Sequence, residues 1–241
     1  MKAMILAAGL GSRLRPWTLY HPKALVPVGG IPMLERVIRQ LNEQGFDKII
    51  VNVHHFADQI IDFLRHSEFG KNIAISDERE QLLDTGGGII KASEFLCDDD
   101  KPFLIHNVDI LSTANLGELM HAHEEANADA TLLVSERESS RRLAVGVDQS
   151  LHGWKDLSSG KTRPADFIPS SDDRLLAFSG IHVLSTNCVN LMRQKFGDAP
   201  FPIMDFYLDN ISGLVIRCEK QSFDFIDIGK PETLAKANRL A

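Results

Sequence analysis

A three-layer α/β/α fold on a mainly parallel, mixed central sheet is what the 241-residue sequence predicts. Three observations predict it. Apolar, β-branched runs alternate with segments of helical periodicity, and strands separated by helices of about ten to fifteen residues imply right-handed crossovers and parallel pairing. The first run ends in LAAGLGSRLRP, a strand passing into a glycine-rich, arginine-bearing loop of the kind that holds phosphate. The length suffices for one sizeable core and is short for two, so residues 1–241 are expected to form a single domain.

The elements follow in order. Residues 2–7 read as a buried strand, because Met4, Ile5 and Leu6 form a continuous apolar run bounded by Gly9. Leu34, Val37, Ile38 and Leu41 then fall at helical spacing, with Pro32 near the start and Gly45 at the end. DKIIVNVHH is a second strand, ADQIIDFLRH a helix and NIAISDE a third strand. The same rhythm makes GGIIKASEFL a helix, KPFLIHNVD a strand, LGELMHAHEEA a helix and DATLLVSE a strand. Between residues 143 and 177 it breaks into short strands and turns, too short for a core of their own, and this stretch is expected to be an inserted β/loop region or lid. RLLAFSGIHVL, a helix after Thr186, GLVIRCEK, FDFIDIG and a helix from Pro231 return to sheet and helix.

Composition narrows the function classes. A net charge of -7 argues against a general nucleic-acid binder, which needs excess lysine and arginine. Met1 to Leu34 contains no Asp or Glu, although about five are expected from the overall acid content, and it carries Lys2, Arg13, Arg15 and Lys23. A cationic segment in an acidic protein suits an anionic ligand. Cys97, Cys188 and Cys218 are odd in number and form no CxxC pair, so neither a disulfide framework nor a zinc site is suggested, and a cytoplasmic setting fits. The first apolar run is too short for a secretion signal, and no stretch approaches a membrane span.

Three glycine loops could be meant by LAAGLGSRLRP. The dinucleotide fingerprint needs a third small residue where Leu14 stands and a prompt helix, which Pro16, Pro22 and Pro27 oppose; Asn52, His54 and His55 occupy the region where that fold carries an acid. The P-loop needs Gly-Lys-Ser/Thr, absent from the loop that directly follows the first strand. What remains is a long loop with glycines for close approach, Arg13 for bidentate phosphate contact and Lys23 as a compact cation.

MILAAGLGSRLRPWTLYHPKALVPVGG closely resembles the opening motif of the sugar-1-phosphate nucleotidyltransferases. Further resemblances run along the chain: LLDTGGGI to the loop against the nucleobase, Asn107 to Asp109 to the metal-binding Asn-Gly-Asp, FSGIHVL to the sugar-side strand, and FIDIGKPE to Asp-Ile-Gly-Thr-Pro-Glu. The resemblance implies a Rossmann-like nucleotidyltransferase fold and attack by a sugar 1-phosphate on the α-phosphorus of a nucleoside triphosphate. Arg13, Lys23 and Asp109 would be catalytic. Leu6, Ala7, Ala8, Gly9, Gly11, Ser12, Arg13, Thr85, Gly86 and Gly87 would bind nucleotide, Lys23 and Gly180 the sugar phosphate, and Asp109 and Asp227 would hold Mg²⁺.

Plainer uses stand beside these: Asp109 as a cap, Asp227 as a buried hydrogen-bonded acid, the triglycine as a flexible turn, Thr85 as a helix cap and Gly180 as a strand bulge. The sequence departs from the family in Val108 for glycine, in Lys230 for threonine, and in lacking the Glu-Lys-Pro whose lysine meets the sugar phosphate; Lys161 or Arg163 is offered instead. The implied substrates are mannose 1-phosphate with GTP or N-acetylmuramate 1-phosphate with UTP, on a monomer or homodimer. The rivals are a cytidylyltransferase for a phosphorylated alcohol such as phosphocholine and a silent nucleotide-sugar sensor.

Overall fold

The computed structural model describes residues 1–240. Its strands are β1 (Lys2–Leu6), β2 (Pro27–Val28), β3 (Ile31–Pro32), β4 (Lys48–Val53), β5 (Ile73–Asp77), β6 (Phe103–Asn107), β7 (Ile110–Ser112), β8 (Ala130–Ser135), β9 (Arg141–Val145), β10 (Leu151–Asp156), β11 (Thr162–Arg163), β12 (Arg174–Leu184), β13 (Ile216–Lys220) and β14 (Phe225–Asp227). Its helices are α1 (Met33–Glu43), α2 (Ala57–His66), α3 (Asp84–Lys91), α4 (Ser93–Leu96), α5 (Leu116–Glu125), α6 (Thr186–Phe196), α7 (Ile203–Asp209) and α8 (Pro231–Leu240). The expected alternation is present, and the loop after β1 runs through three short 3₁₀ turns rather than into a crossover helix.

Side-chain alternation on β1 divides the core into two layers. Ala3 and Ile5 face one side, where α1, α2 and α5 bury Leu34, Ile38, Ile60, Leu64, Leu116 and Leu119. Met4 faces the other, where α3, α6 and α7 bury Ile89, Val189, Met192, Phe206 and Tyr207. Local signals set the helix ends: Asn115 caps α5 by accepting from the Glu118 amide at 3.0 Å, and Gly45, at φ +84°, lets the chain turn off α1.

The sheet explains where a ligand belongs. β6, β1, β4 and β5 are parallel neighbours in that order, so the chain moves outward from β1 through β4 to β5 and then returns to the far side of β1 as β6. That reversal is a topological switch point, and the crevice lies beyond the carboxyl ends of β1 and β6. β12 runs antiparallel between β6 and β8, with an irregularity between Phe178 and His182, and β13 closes the far side parallel to β8. Within the 143–177 stretch, β10 and β11 extend the sheet from β9, which pairs with Arg174 to Leu176 at the start of β12.

Candidate active site

At the switch point a cleft of about 310 Å³ opens between the glycine loop, the carboxyl end of β6 and the start of α3. Leu6, Ala8, Gly9 and Lys23 line one wall, and Asn107, Val108 and Asp109 another. Lys23 Nζ donates to Asp109 Oδ2, both side chains being largely buried. The pairing requires Gly11: at φ +62° it sits in the left-handed region, and a Cβ there would fall 2.8 Å from Lys23 Cβ and 3.0 Å from Thr18 Cγ2. Thr18 Oγ1 also donates to the Gly11 carbonyl at 2.9 Å, pinning the turn. Gly9, by contrast, has nothing within 4 Å of where a Cβ would stand, which leaves its backbone open to a ligand.

The loop hangs from a buried polar chain. The Ala7 amide donates to Asn52 Oδ1 at 2.6 Å, and Asn52 Nδ2 donates to Glu78 Oε1 at 2.7 Å. Burial pushes the Glu78 carboxyl above its ordinary range, a shift offset in part by the Asn52 amide and the Leu83 N–H. Asn52 faces the cleft and so couples its floor to the first loop residue.

The second acid arrives on β14. Asp227 pairs in register with Ile110, and the Ile228 amide donates to the Asp109 carbonyl at 3.0 Å, so one short antiparallel ladder carries both acids. Asp227 Oδ1 accepts from the Gly229 amide at 2.8 Å. Arg13 reaches the same place: a Cβ on Gly229 would lie 2.8 Å from Asp227 Oδ1 and 3.0 Å from Arg13 Nη2. The structure therefore pairs Lys23 with Asp109 and brings Arg13 and Asp227 close to the same glycine, Gly229, while Ser12 stays exposed on the loop.

The triglycine has a packing role that the sequence did not foretell. Gly86, Gly87 and Gly88 are buried in α3. The Gly86 amide donates to the Phe201 carbonyl at 2.9 Å, and a Cβ on Gly86 would collide with the Phe201 ring at 2.1 Å. Gly87 packs beneath Leu83 and Ala199, and Gly88 makes room for Glu78 and Asn52. Thr85 lines the cleft, but its hydroxyl accepts from the Ile203 amide at 2.8 Å. These residues fasten α7 to the cleft; Leu82 and Asp84 supply the exposed wall beside them.

Other expectations also shift. Lys2 is no part of the cationic loop: it is buried at the opposite end of β1, where Nζ donates to the Leu96 carbonyl at 2.7 Å and pairs with Asp98 and Asp99. Arg163 is committed to Asp205 and Asp209 on α7. Gly180 lies at the β12 irregularity with φ +78°, and its missing Cβ admits the Asn107 side chain, whose Nδ2 would stand 2.6 Å away. Val108 is accommodated in the core, its amide donating to the Leu6 carbonyl at 3.2 Å. Lys230 is exposed, and its carbonyl accepts from Leu234 in α8.

Glu78 and Arg137, near the site, were passed over in the sequence, and Asn52 and Asn107, which line the cleft, were named there only as motif positions. A lone asparagine inside the apolar run KIIVNV was the readable signal, since a buried amide needs partners. Chemically, the cleft presents one charge pair, Lys23 with Asp109, and open backbone at Gly9, and no Ser, Cys or His is among the described residues lining it.

Comparisons with known proteins give the family and the fold. Residues 2–150 match the family model described as nucleotidyl transferase. A mannose-1-phosphate guanyltransferase of Yarrowia lipolytica is 32% identical over 238 residues, covering 96% of this chain and 61% of its own length. An N-acetylmuramate alpha-1-phosphate uridylyltransferase of Caulobacter vibrioides is 31% identical over 210 residues, covering 85% of this chain and 82% of its own. The chain thus spans about three fifths of the first relative and most of the second. In fold, the crystal structure of HddC from Yersinia pseudotuberculosis complexed with GMP-PN superposes with a TM-score of 0.79 at 23% identity, covering 99% of this chain and 98% of that one.

Proposed function

The chain belongs to the nucleotidyl transferase family, and we propose that it transfers a nucleotidyl group from a nucleoside triphosphate to a sugar 1-phosphate, releasing pyrophosphate. The observation that carries this reading is the Lys23–Asp109 pair set against the open backbone of Gly9 at the switch point. In this reaction a sugar-phosphate oxygen forms a bond to the α-phosphorus while the bond from that phosphorus to the bridging oxygen breaks, and the electron pair leaves on pyrophosphate. The nucleophile is already an anion, so no proton needs to be removed and no covalent residue is required. Catalysis reduces to aligning two polyanions and stabilising migrating charge, which suits a cleft lined by the Lys23–Asp109 pair and open backbone.

Within this scheme Gly9 and Gly11 let the loop approach the triphosphate, and Lys23 and Arg13 supply cationic donors. Asp109 and Asp227 suit Mg²⁺, since both are hard oxygen donors held on one ladder, each beside a cation that a divalent ion could displace. Bound there, Mg²⁺ would neutralise phosphate charge. The names of the relatives supply two substrate pairs, mannose 1-phosphate with GTP and N-acetylmuramate 1-phosphate with UTP. The fuller coverage of the uridylyltransferase favours the second. We place the activity in the cytoplasm.

The test is pyrophosphate release with Mg²⁺, each nucleoside triphosphate and a panel of sugar 1-phosphates including both acceptors. Turnover with at least one pair is expected. Silence across the panel with nucleotide binding intact would instead support the sensor.

A further inference from the structure

Arg137 has no part in the scheme so far. It follows β8 and reaches back over β14, where its Cζ lies 4.2 Å from the centroid of the Phe225 ring. Nη2 donates to the Phe178 carbonyl at 2.7 Å, and Nη1 reaches the Glu138 carbonyl at 3.3 Å. Nε is buried and has no partner among the described residues. A buried donor left this way is an uncompensated cost in the folded chain.

Its surroundings point to an anion. Phe225 and Asp227 alternate along β14 and share a face, so the guanidinium lies on the Asp227 side. Burial lowers the Arg137 pKa, the Asp227 charge raises it, and neighbouring Arg142 lowers it again. Arg137 therefore stands between the Asp227 carboxylate and a second guanidinium, that of Arg142, and Arg13 Nη2 also comes close to Gly229, beside Asp227. The Phe178 carbonyl that holds Arg137 is two residues from Gly180, which packs on Asn107, and Asn107 lines the cleft. Of the two cations offered from the sequence, Arg163 is bound by two aspartates and Lys161 is exposed next to β11.

We propose that Arg137, held flat on Phe225, receives the phosphate of the second substrate, opposite the triphosphate held by the glycine loop. A stacked guanidinium has its fork fixed before the ligand arrives, which suits two oxygens of one phosphate. The assignment rests on the proposed reaction for the identity of that substrate, and its test separates the two. Inorganic phosphate is titrated into wild-type protein whose nucleotide site is filled with a non-hydrolysable triphosphate analogue, and into Arg137→Gln and Arg137→Lys.

Saturable phosphate binding is expected in the wild type, weakened at least tenfold in Arg137→Gln and less in Arg137→Lys, with analogue affinity within twofold throughout. In turnover, the KM for mannose 1-phosphate and N-acetylmuramate 1-phosphate should rise by the same factor. Unchanged phosphate affinity, an equal loss of analogue affinity, or a loss confined to the carboxylate-bearing sugar would overturn the assignment. Should Arg137→Gln fail to fold, undiminished phosphate affinity in Arg137→Lys would overturn it too. If no sugar 1-phosphate is turned over while phosphate binding still depends on Arg137, the reaction falls and the anion site stands.

Discussion

Replacing Gly86 by alanine separates the two uses of the triglycine. A Cβ at this position would stand 2.1 Å from Phe201 Cε2 and 2.4 Å from Cζ, well inside contact distance. Phe201 cannot swing away freely, because it is buried and stacked on Phe196 at 3.9 Å with 6° between the rings. Overpacking of this kind costs about 1–3 kcal/mol, and a helical alanine recovers about 1 kcal/mol over glycine. The overlap is deep, which favours the upper part of the range and a net loss of about 1–2 kcal/mol. For a domain of this size that lowers Tm by roughly 2–8 °C. The assay is thermal unfolding alongside nucleotide titration, in the wild-type background and with Phe201→Ala. Gly86→Ala should lower Tm with nucleotide affinity nearly unchanged, and become neutral or stabilising once Phe201 is truncated. An unchanged Tm with weakened nucleotide binding would refute the packing argument and restore the glycines as a nucleobase platform.

Asp109→Asn should reduce turnover by at least about 10²-fold while leaving the melting profile close to wild type; near-normal turnover would remove Asp109 from the site. Lys2→Met should leave kcat and KM unchanged and lower stability by about 1–2 kcal/mol, because Asp98 and Asp99 are exposed enough to regain water, and a kinetic defect would contradict its placement far from the cleft. Burial depresses His106 and His123 to about 4 and His182 to about 3, below the ordinary value of 6.5. Their contribution to stability is therefore complete above pH 6.5 and lost as pH falls towards 4, at up to about 1.4 kcal/mol per pH unit for each histidine. Urea melts at pH 7 and pH 5 should differ by several kcal/mol, and equal stability would mean that these rings are protonated in the folded state.

Much of the fold was legible because its signals are local. β1, α1, β4 and α2 announce themselves by continuous apolar runs or by helical spacing. The shape of the glycine loop was equally readable, since residues 9 to 23 are contiguous and Gly11 meets Lys23 within that span. What escaped depends on distant partners. Nothing near Gly86 in sequence foretells Phe201, and α7 is short and follows two prolines. Lys2 looked like part of a cationic segment because its aspartates lie on the loop before β6, across the end of the sheet. The stretch 143–177 broke the α/β rhythm, yet only the register of β9 on β12 reveals that its strands prolong the central sheet. Arg137 was overlooked for the same reason, because its ring partner Phe225 is on β14.

The central claim is that a sugar 1-phosphate oxygen attacks the α-phosphorus of a nucleoside triphosphate directly. Sugar 1-phosphate carrying ¹⁸O in its phosphate oxygens, incubated with triphosphate, Mg²⁺ and enzyme, tests it by mass spectrometry of both products. All of the label should be found in the nucleotide-sugar, and the pyrophosphate, released in equal amount, should carry none. Label in pyrophosphate, or nucleotide-sugar formed without pyrophosphate, would contradict it.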